Sequence, residues 1–362
     1  MINVNFKEKM DNFLKITVES SASDLHLVAG APPGIRINGE IKYLDCPALS
    51  PEDVDLLISS IISDRQKEKL DKEWELDFSY SVYGLARFRG NVMRQRGSLS
   101  AVFRAVPYII PNIDELGLPP IIKELCNLTR GLVLITGPTG SGKSTTLASM
   151  IDIINSTRKM NIVTVEDPIE FLHKHKMSTV RQREIGTDTH SYANALRNVL
   201  RHDPDVILIG EMRDLESISI ALTAAETGHL VLSTLHTQTA PLTITRIINV
   251  FQDDKRQMIR QQLANSIRAV VSQQLLPCTK GDKMVCAVEI MTDTPAVRTM
   301  IREGKEHQLY GVIQTAASDG MQTMDQSIAK LFIAGKITKE TAFEYCIDKK
   351  ELERMLKNQG FY

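Results

Sequence analysis

The sequence has 362 residues, of which 43% are hydrophobic and 24% are charged, and this balance excludes a chain that is disordered throughout. Basic residues number 43 and acidic residues 44, so the formal net charge is -1 and no global field attracts nucleic acid or acidic lipid. The amino terminus lacks the apolar core of a secretory signal and no apolar run reaches the roughly 18 residues of a membrane span, which favours a cytoplasmic protein.

The amino-terminal part of the chain, residues 1–106, predicts a small α/β domain. The alternating runs IRI and EIKY flank Asn38 and Gly39, the residue pair that best accepts the positive φ angles of a two-residue hairpin turn. A helix is predicted after Ser50, because serine is a good cap, Pro51 suits the first helical position and acidic residues follow in the first turn. Further strands are predicted near residues 74–80, 86–95 and 99–104.

Positive charge is concentrated on the later strands of this domain. No acidic residue lies between Asp77 and Asp114. The arginines in this interval are Arg87, Arg89, Arg94, Arg96 and Arg104. Two interpretations stay open: an ordinary solvated face of a sheet, and a surface that binds an anion such as phosphate or nucleic acid.

A proline-rich segment separates this domain from a second one with a different pattern. Residues 107–120 contain four prolines and predict a stiff linker, which places the second domain at residues 121–362. There the apolar runs LVLITG, NIVTVE, DVILIG and HLVLSTLH alternate with helical segments, which is typical of a parallel sheet covered by helices on both faces. A helical segment from about Met324 to Leu356 is predicted to close the chain.

The segment GPTGSGKS, residues 137–144, satisfies the pattern G-x-x-x-x-G-K-[ST] between a predicted strand and a predicted helix. Its glycines let backbone N–H groups surround the β- and γ-phosphates of a nucleotide, Lys143 neutralises phosphate charge and Ser144 can ligate Mg²⁺. We therefore predict a site for ATP and Mg²⁺. The predicted binding residues are Gly137, Pro138, Thr139, Gly140, Ser141, Gly142, Lys143, Ser144 and Thr145.

Two more apolar strands end in carboxylates. The segment PDVILIGEMRD ends its strand at Glu211, which we expect to hold Mg²⁺ or a water on the metal, beside the phosphate loop. The segment IVTVEDPIEFLH leads into Glu166, Asp167 and Glu170. Residue chemistry alone leaves open which of these three carboxylates activates the attacking water.

The segment HLVLSTLHT places His229 before a strand and His236 at its far end. A lone histidine is more often a satisfied polar residue than a catalyst, but the end of a strand in this type of sheet lies at the ligand crevice, so His236 is a candidate sensor of the γ-phosphate. Arg197 and Arg201 share one face of a helix, and we predict that they pair with the carboxylates of residues 203–205 rather than reach another subunit.

Several long segments together resemble the PilT family of type IV pilus retraction ATPases. They are SASDLHLVAGAPPGIRINGEI, GPTGSGKSTT, VEDPIEF, LRHDPDVILIGEMRDLESISIALTAAETGHLVLSTLHT and GMQTMDQS, and the similarity runs from about residue 20 to about residue 345. The resemblance implies a PAS-like amino-terminal domain and a RecA-like P-loop NTPase domain with a mostly parallel sheet and a helical carboxyl end. It also implies a homohexamer that hydrolyses ATP to disassemble pili, acts on the pilin filament indirectly, and contacts the cytoplasmic face of the membrane through an inner-membrane platform protein.

The resemblance also implies roles for individual residues. Glu170 is expected to be the catalytic base, and Arg87 and Arg104 are expected to reach phosphates across a subunit interface. The residues expected in catalysis are Glu170, Glu211, Glu166, His236, His229, Arg87 and Arg104, with Ser144 and Glu211 at the metal.

One further segment and the cysteines bear on the direction of the motor. The segment TPAVRTMIREGK resembles the A-I-R-N-L-I-R element associated with retraction and keeps both of its arginines. At the position of the asparagine in that element, this sequence has Thr299. Assembly ATPases of pilus extension and type II secretion carry paired C-x2-C zinc ligands, whereas Cys278 and Cys286 do not form such a pair, so an extension motor is disfavoured.

Two rival functions stay open at this point. A nucleic-acid translocase would use the arginine-rich sheet as its track, and the near-neutral net charge and the scarcity of aromatic residues in that block speak against it, so no nucleic-acid partner is expected. A non-hydrolysing accessory subunit of a paralogous pilus motor is disfavoured by the intact phosphate-loop lysine and the carboxylates.

Overall fold

The computed structural model describes residues 5–37, 39–106, 109–279 and 283–359. The chain divides into two compact units, of which the first comprises Met1–Ile109 and Glu170–Leu172 and the second Ile110–Ile169 and His173–Tyr362. Across the described ranges, no helix has both the length and the apolar character that crossing a membrane requires.

The first unit is an antiparallel sheet with three helices. Its elements are α1 (Phe6–Glu19), β1 (Asp24–Val28), β2 (Gly34–Ile37), β3 (Glu40–Tyr43), α2 (Pro51–Ser59), α3 (Asp64–Glu73), β4 (Glu75–Val82), β5 (Ala86–Gln95) and β6 (Ser98–Val106). The strand order is β3-β2-β1-β6-β5-β4, and every neighbouring pair is antiparallel. The predicted small α/β domain is confirmed. Strands β2 and β3 pair as the predicted hairpin, although Asn38 of its turn lies outside the described residues.

Local sequence signals explain how this unit is assembled. Helix α2 begins as predicted, because the Ser50 side chain accepts from the Asp53 N–H while the Asp53 carboxylate accepts from the Ser50 N–H. Strand β5 alternates buried and more exposed side chains, so Phe88 enters the core while Arg87 and Arg89 stand on the opposite face of the sheet.

The second unit is built around a seven-stranded sheet. Its elements are α4 (Ile121–Leu125), β7 (Gly131–Thr136), α5 (Lys143–Thr157), β8 (Asn161–Glu166), β9 (Thr179–Glu184), α6 (Tyr192–Val199), β10 (Val206–Ile209), α7 (Leu215–Glu226), β11 (Leu230–Leu235), α8 (Ala240–Asn249), α9 (Asp253–Ser266), β12 (Ile267–Pro277), β13 (Met284–Thr292), α10 (Pro295–Arg302), α11 (Leu309–Thr315), α12 (Met324–Ile333), α13 (Lys339–Tyr345) and α14 (Lys349–Asn358). The strand order is β13-β12-β7-β11-β10-β8-β9, and β13 pairs antiparallel with β12 whereas the other pairs are parallel. The predicted mostly parallel sheet with a helical carboxyl end is confirmed.

Alternation along the central strand β7 divides the apolar core of this unit. Leu132 and Leu134 pack with residues of helices α6 to α11 on one face, and Val133 and Ile135 pack with α4 and α5 on the other. A strand that is buried on both faces explains the uninterrupted apolar run in the sequence. The strand therefore ends at the phosphate loop as part of a rigid, fully covered sheet.

The structure differs from the sequence interpretation at two points in this unit. The chain after β8 does not enter a helix directly but first forms β9, an edge strand whose sequence TVRQRE carries several charges. The predicted pairing of Arg197 with residues 203–205 is wrong, because Arg197 forms its ion pair with Glu216 in the first turn of α7.

Two acidic side chains, Glu289 on β13 and Asp325 on α12, are fully buried in the second unit, each with 0% exposure. Burial, with a smaller contribution from the neighbouring Asp325 charge, raises the pKa of Glu289 to about 7, although hydrogen bonds from the backbone N–H groups of Ala240 and Met324 act to lower it. Burial also raises the pKa of Asp325.

Glu289 is expected to make stability fall as the pH rises from 4.5 to about 7. A glutamate in the unfolded chain loses its proton near pH 4.5, whereas folded Glu289 keeps its proton until about pH 7, so the folded state binds the extra proton in this interval. This stabilisation, at most roughly 3 kcal/mol, is complete below pH 4.5 and is lost as the pH passes 7. Thermal unfolding midpoints of the wild type and of Glu289→Gln across this range should show a flatter pH dependence in the variant. Parallel curves would contradict the raised pKa.

Candidate active site

The carboxyl ends of four parallel strands meet at one edge of the second sheet. Strands β7, β11, β10 and β8 are consecutive neighbours, and each is parallel to the next. The phosphate loop follows β7, His236 follows β11, Glu211 lies two residues beyond the end of β10, and Glu166 ends β8. Parallel sheets bind their ligands at this edge.

The phosphate loop has the backbone conformation that its glycines predict. Gly137, Gly140 and Gly142 have φ angles of 139°, 79° and 88°, in the region that other residues rarely adopt. Gly142 caps helix α5, so the loop turns directly into a helix amino terminus, where N–H groups and the helix dipole favour an anion.

Lys143 is held against the loop that precedes it. Its Nζ lies 2.9 Å from the carbonyl oxygens of both Gly137 and Pro138, and the residue is only 8% exposed. Thr139 and Gly140 are exposed at the tip of the loop, and Ser144 is half-buried in the first turn of α5. The carbonyl oxygens of Gly137 and Pro138 therefore hold the Lys143 ammonium group beside the phosphate loop.

Gly137→Ala is expected to lower the thermal unfolding midpoint by roughly 5–10 °C. A Cβ at this position would lie 2.3 Å from the backbone oxygen of Gln273 and 2.6 Å from Ser141 Oγ, and the φ angle adds backbone strain. Gly140→Ala is the matched control, because a Cβ there meets no atom within 4 Å and only the φ angle is unfavourable. Equal shifts in a melting experiment would show that the contact with Gln273 does not matter.

Glu211 forms a small charged network with residues from two strand ends. Its Oε2 accepts from Arg213 Nε at 2.7 Å, and its Oε1 lies 3.2 Å from His236 Nε2. The hydrogen bond and the charge of Glu211 raise the pKa of Arg213. The structure thus brings together the residue predicted to serve the metal and the predicted γ-phosphate sensor.

Glu166 is restrained by polar neighbours in its own and the adjacent strand. Its Oε1 accepts from Thr164 Oγ1 at 2.6 Å and from Gln182 Nε2 at 3.1 Å. Gln182 belongs to β9, so the strand that the sequence did not predict supplies one of these donors. These two hydrogen bonds hold the Glu166 carboxylate in one orientation at the end of β8.

The loop after β8 carries the other two carboxylates. Asp167 and Glu170 are exposed, and the Asp167–Pro168 peptide bond is cis. The N–H of Ile169 donates to the buried Glu184 at 3.1 Å, which anchors the loop between the two acids. Glu170 groups with the first compact unit, together with the two residues that follow it.

Tyr192, the first residue of α6, belongs to this edge and was missed in the sequence. A Cβ on Gly210 would lie 2.9 Å from its hydroxyl oxygen, which puts that hydroxyl against the end of β10. Burial raises the pKa of Tyr192, and the negative charges of Asp167 and Glu211 raise it further. In the sequence around Tyr192, the one local signal is the cap residue Ser191. It predicts the start of a helix but gives no indication that Tyr192 belongs to a site.

The structure separates His229 from this edge. The carbonyl of His229 accepts from the N–H of Gly131 at the start of β7, and its Nδ1 lies 3.0 Å from the Ala224 oxygen. His236 is seven positions further along the extended chain, roughly 23 Å away. A catalytic role for His229 stays a prediction, at the opposite end of β11 from the phosphate loop.

The predicted interface arginines belong to the first unit. Arg104 Nε donates to Asp24 Oδ1 at 2.8 Å, across the register pair that joins β6 to β1. Burial would raise the pKa of Asp24, but the hydrogen bonds from Ser23 and Arg104 hold it below its usual value. Arg87 is half-buried on β5. Their contact with phosphates in another subunit stays a prediction.

Comparison with known proteins points to one group. A family model described as type II/IV secretion system protein matches residues 88–338. The chain is 48% identical to the type IV pilus retraction ATPase PilT of Pseudomonas aeruginosa over 91% of this chain and 96% of that protein. It is 47% identical to a twitching motility protein of Neisseria gonorrhoeae over 87% of this chain and 84% of that protein. A crystal structure of the pilus retraction motor PilT with bound ADP matches with a TM-score of 0.88 and 51% identity, covering 94% of this chain and 98% of that one.

Proposed function

Because the chain belongs to the PilT family within the type II/IV secretion system proteins, we propose that it is an ATP-hydrolysing motor that powers retraction of type IV pili. The observation that supports this most strongly is the shared sheet edge, where the phosphate loop, Glu211, His236 and Glu166 meet. A nucleotide bound on the loop places its γ-phosphate toward these side chains.

Each group at the edge has a distinct task in hydrolysis. The loop N–H groups and Lys143 bind the phosphates, and His236 senses the γ-phosphate from its position beside Glu211. Glu170 takes the proton of the attacking water, while Glu166 orients the polar groups around it. Arg87 and Arg104 stabilise phosphate charge from a neighbouring subunit.

The residues at this edge fit Mg²⁺, which neutralises phosphate charge when bound. The Ser144 hydroxyl and the Glu211 carboxylate are hard oxygen donors of the type that this ion prefers. Both oxygens of Glu211 already contact Arg213 or His236, so a bridging water fits better than direct ligation. Ser144, in the first turn of α5, is the better direct ligand.

The active assembly in this proposal is a homohexamer. In such a ring, arginines of one subunit reach the phosphates bound by the neighbouring subunit. This gives the basic strands β5 and β6 a function. The ring acts in the cytoplasm against the inner face of the membrane, where it binds a platform protein of the pilus and moves the pilin filament indirectly. Nucleic acid is not a partner.

Deletion of the gene tests the direction of the motor. Cells without the protein are expected to accumulate surface pili that do not retract and to lose twitching motility. Complementation with the wild-type gene should restore retraction, whereas the Lys143→Ala gene should not. Bald cells would instead indicate a motor for extension.

Assays on the purified chain separate the rival functions. ATP turnover that is unchanged by single-stranded DNA is the expected result. Strong stimulation by DNA, with salt-sensitive binding, would favour a translocase. ATP binding without turnover, in a protein that raises the activity of a paralogous motor, would favour an accessory subunit.

A further inference from the structure

The buried acid Glu289 lies level with the ends of the strands that carry the site. It pairs in register with Ser272 of β12, Ser272 pairs with Thr136 of β7, and Thr136 pairs with Leu235 of β11. Thr136 and Ser272 join their hydroxyls at 2.8 Å, so side chains in this row share one face. The next residue after Thr136 begins the phosphate loop, and the next after Leu235 is His236.

Glu289 contacts the helix that follows His236. Its Oε1 accepts from the N–H of Ala240, the first residue of α8, at 2.7 Å, and both residues are fully buried. The first N–H groups of a helix have no partner within the helix, and a buried one without a partner is costly. The Glu289 side chain of β13 therefore accepts the hydrogen bond from the Ala240 N–H, which has no acceptor within α8.

The segment between β11 and α8 is short and is held at both ends. At one end, β11 is paired on both sides within the sheet. At the other, Thr239 caps α8, and Thr237 Oγ1 lies 2.7 Å from Thr243 Oγ1 within the helix. The position of His236 toward Glu211 therefore depends on where α8 begins.

We propose that Glu289 is a positioning residue for ATP turnover, which fixes the start of α8 through the Ala240 N–H and thereby holds His236 against Glu211. The inference rests on the proposed ATPase activity. Glu289 touches neither the nucleotide nor the reacting atoms, and its effect passes through the backbone of residues 236–240.

Glu289 also interacts with the backbone N–H of Met324, the first residue of α12, which links this carboxyl group to the carboxyl-terminal helices. The Oε2 atom is buried, and the negative charge of Asp325 acts on the same carboxyl group. Asp325 itself accepts from the N–H groups of Ile347 and Asp348, at 2.7 and 2.9 Å, where α13 passes into α14. Asp325 thus belongs to the same buried region but does not support the loop of His236.

Kinetics of a double-mutant cycle tests the proposal. Glu289→Met keeps an unbranched side chain of similar length but removes the acceptor, so kcat should fall about tenfold while KM for ATP changes less than about twofold. Glu289→Gln keeps a carbonyl oxygen for the Ala240 N–H and should stay within about twofold of the wild type. In a His236→Ala background, Glu289→Met should cause no further loss, because the two changes act on the same step. Asp325→Asn is the matched control for neutralising a buried acid and should retain kcat.

Other outcomes would overturn the proposal. An equal loss of kcat from Glu289→Met in both backgrounds would indicate a general loosening of the domain, and an unchanged kcat would show that the contact has no role. If Glu289→Met does not fold, Glu289→Asp withdraws the acceptor by one methylene group and enters the same cycle. A wild type without ATP turnover would overturn the proposed function as well, so the two failures are distinguishable.

Discussion

Replacing Lys143 by alanine is expected to reduce ATP turnover by about 100- to 1,000-fold and to weaken ATP binding. In the proposed function the Lys143 ammonium group is one of the positive charges that bind the phosphates, and the carbonyl oxygens of Gly137 and Pro138 already hold it beside the loop. Its removal leaves the charge of the γ-phosphate less balanced. The fold should persist, because the hydrogen bonds of the Lys143 ammonium group to Gly137 and Pro138 lie within its own loop.

Lys176→Ala is the matched control for this variant. The Lys176 ammonium bonds the Asp152 carboxylate at 2.6 Å and Ser156 Oγ at 3.0 Å. Asp152 lies nine residues along α5 from Lys143, roughly 14 Å from the loop. An exposed ion pair contributes little stability, so turnover should stay within about twofold of the wild type. Steady-state hydrolysis and fluorescent-nucleotide binding measure both variants, and more than a tenth of wild-type turnover in Lys143→Ala would remove the lysine from its assigned role.

The phosphate loop could be predicted from sequence because its determinants are local. Gly137, Gly140 and Gly142 occupy backbone conformations that favour glycine, and Lys143 and Ser144 follow in the first helical turn. The same short segment therefore specifies both the conformation and the chemistry. The parallel sheet could also be predicted from the sequence, because strands that are buried on both faces appear as continuous apolar runs.

The neighbours of the loop could not be predicted in the same way, because distant segments create them. Strand β9 was missed because an edge strand buries only part of its side chains and its sequence carries charges. Without β9, neither the Gln182 donor to Glu166 nor the approach of Tyr192 to β10 could be anticipated. Glu289 gave no signal in an otherwise apolar strand, since its partner Ala240 lies far away in the sequence.

The two histidines show how strand direction limits a motif. The sequence presents His229 and His236 on either side of one predicted strand. Because β11 runs parallel to β7, His229 lies at the amino-terminal end of β11, and His236 lies at the edge of the sheet that carries the phosphate loop. His236 lies beside Glu211, whereas His229 lies at the other end of β11.

Glu170→Gln is expected to bind ATP with nearly wild-type affinity but to hydrolyse it roughly 100- to 10,000-fold more slowly. An amide of the same size keeps the hydrogen-bonding shape of the side chain but cannot take a proton from water. Glu170 is exposed and follows the anchored Ile169, so its carboxylate is presented from a fixed point in the loop.

Two other carboxylates serve as controls for this assignment. Glu166→Gln should lose less turnover, because Glu166 Oε1 already accepts hydrogen bonds from Thr164 and Gln182 and is held by these neighbours instead of facing the attacking water. Glu211→Gln should shift the Mg²⁺ concentration needed for turnover, since its carboxylate serves the metal or its water.

Three measurements separate these roles: nucleotide affinity, single-turnover hydrolysis and the Mg²⁺ dependence of the rate. Among the three variants, Glu170→Gln alone should lose the hydrolysis step while its ATP affinity and its Mg²⁺ dependence stay unchanged. If Glu170→Gln hydrolyses ATP within about threefold of the wild type while Glu166→Gln does not, the base is Glu166. The polar contacts of Glu166 would then orient the catalytic carboxylate itself, and Glu170 would act as a surface residue of its loop.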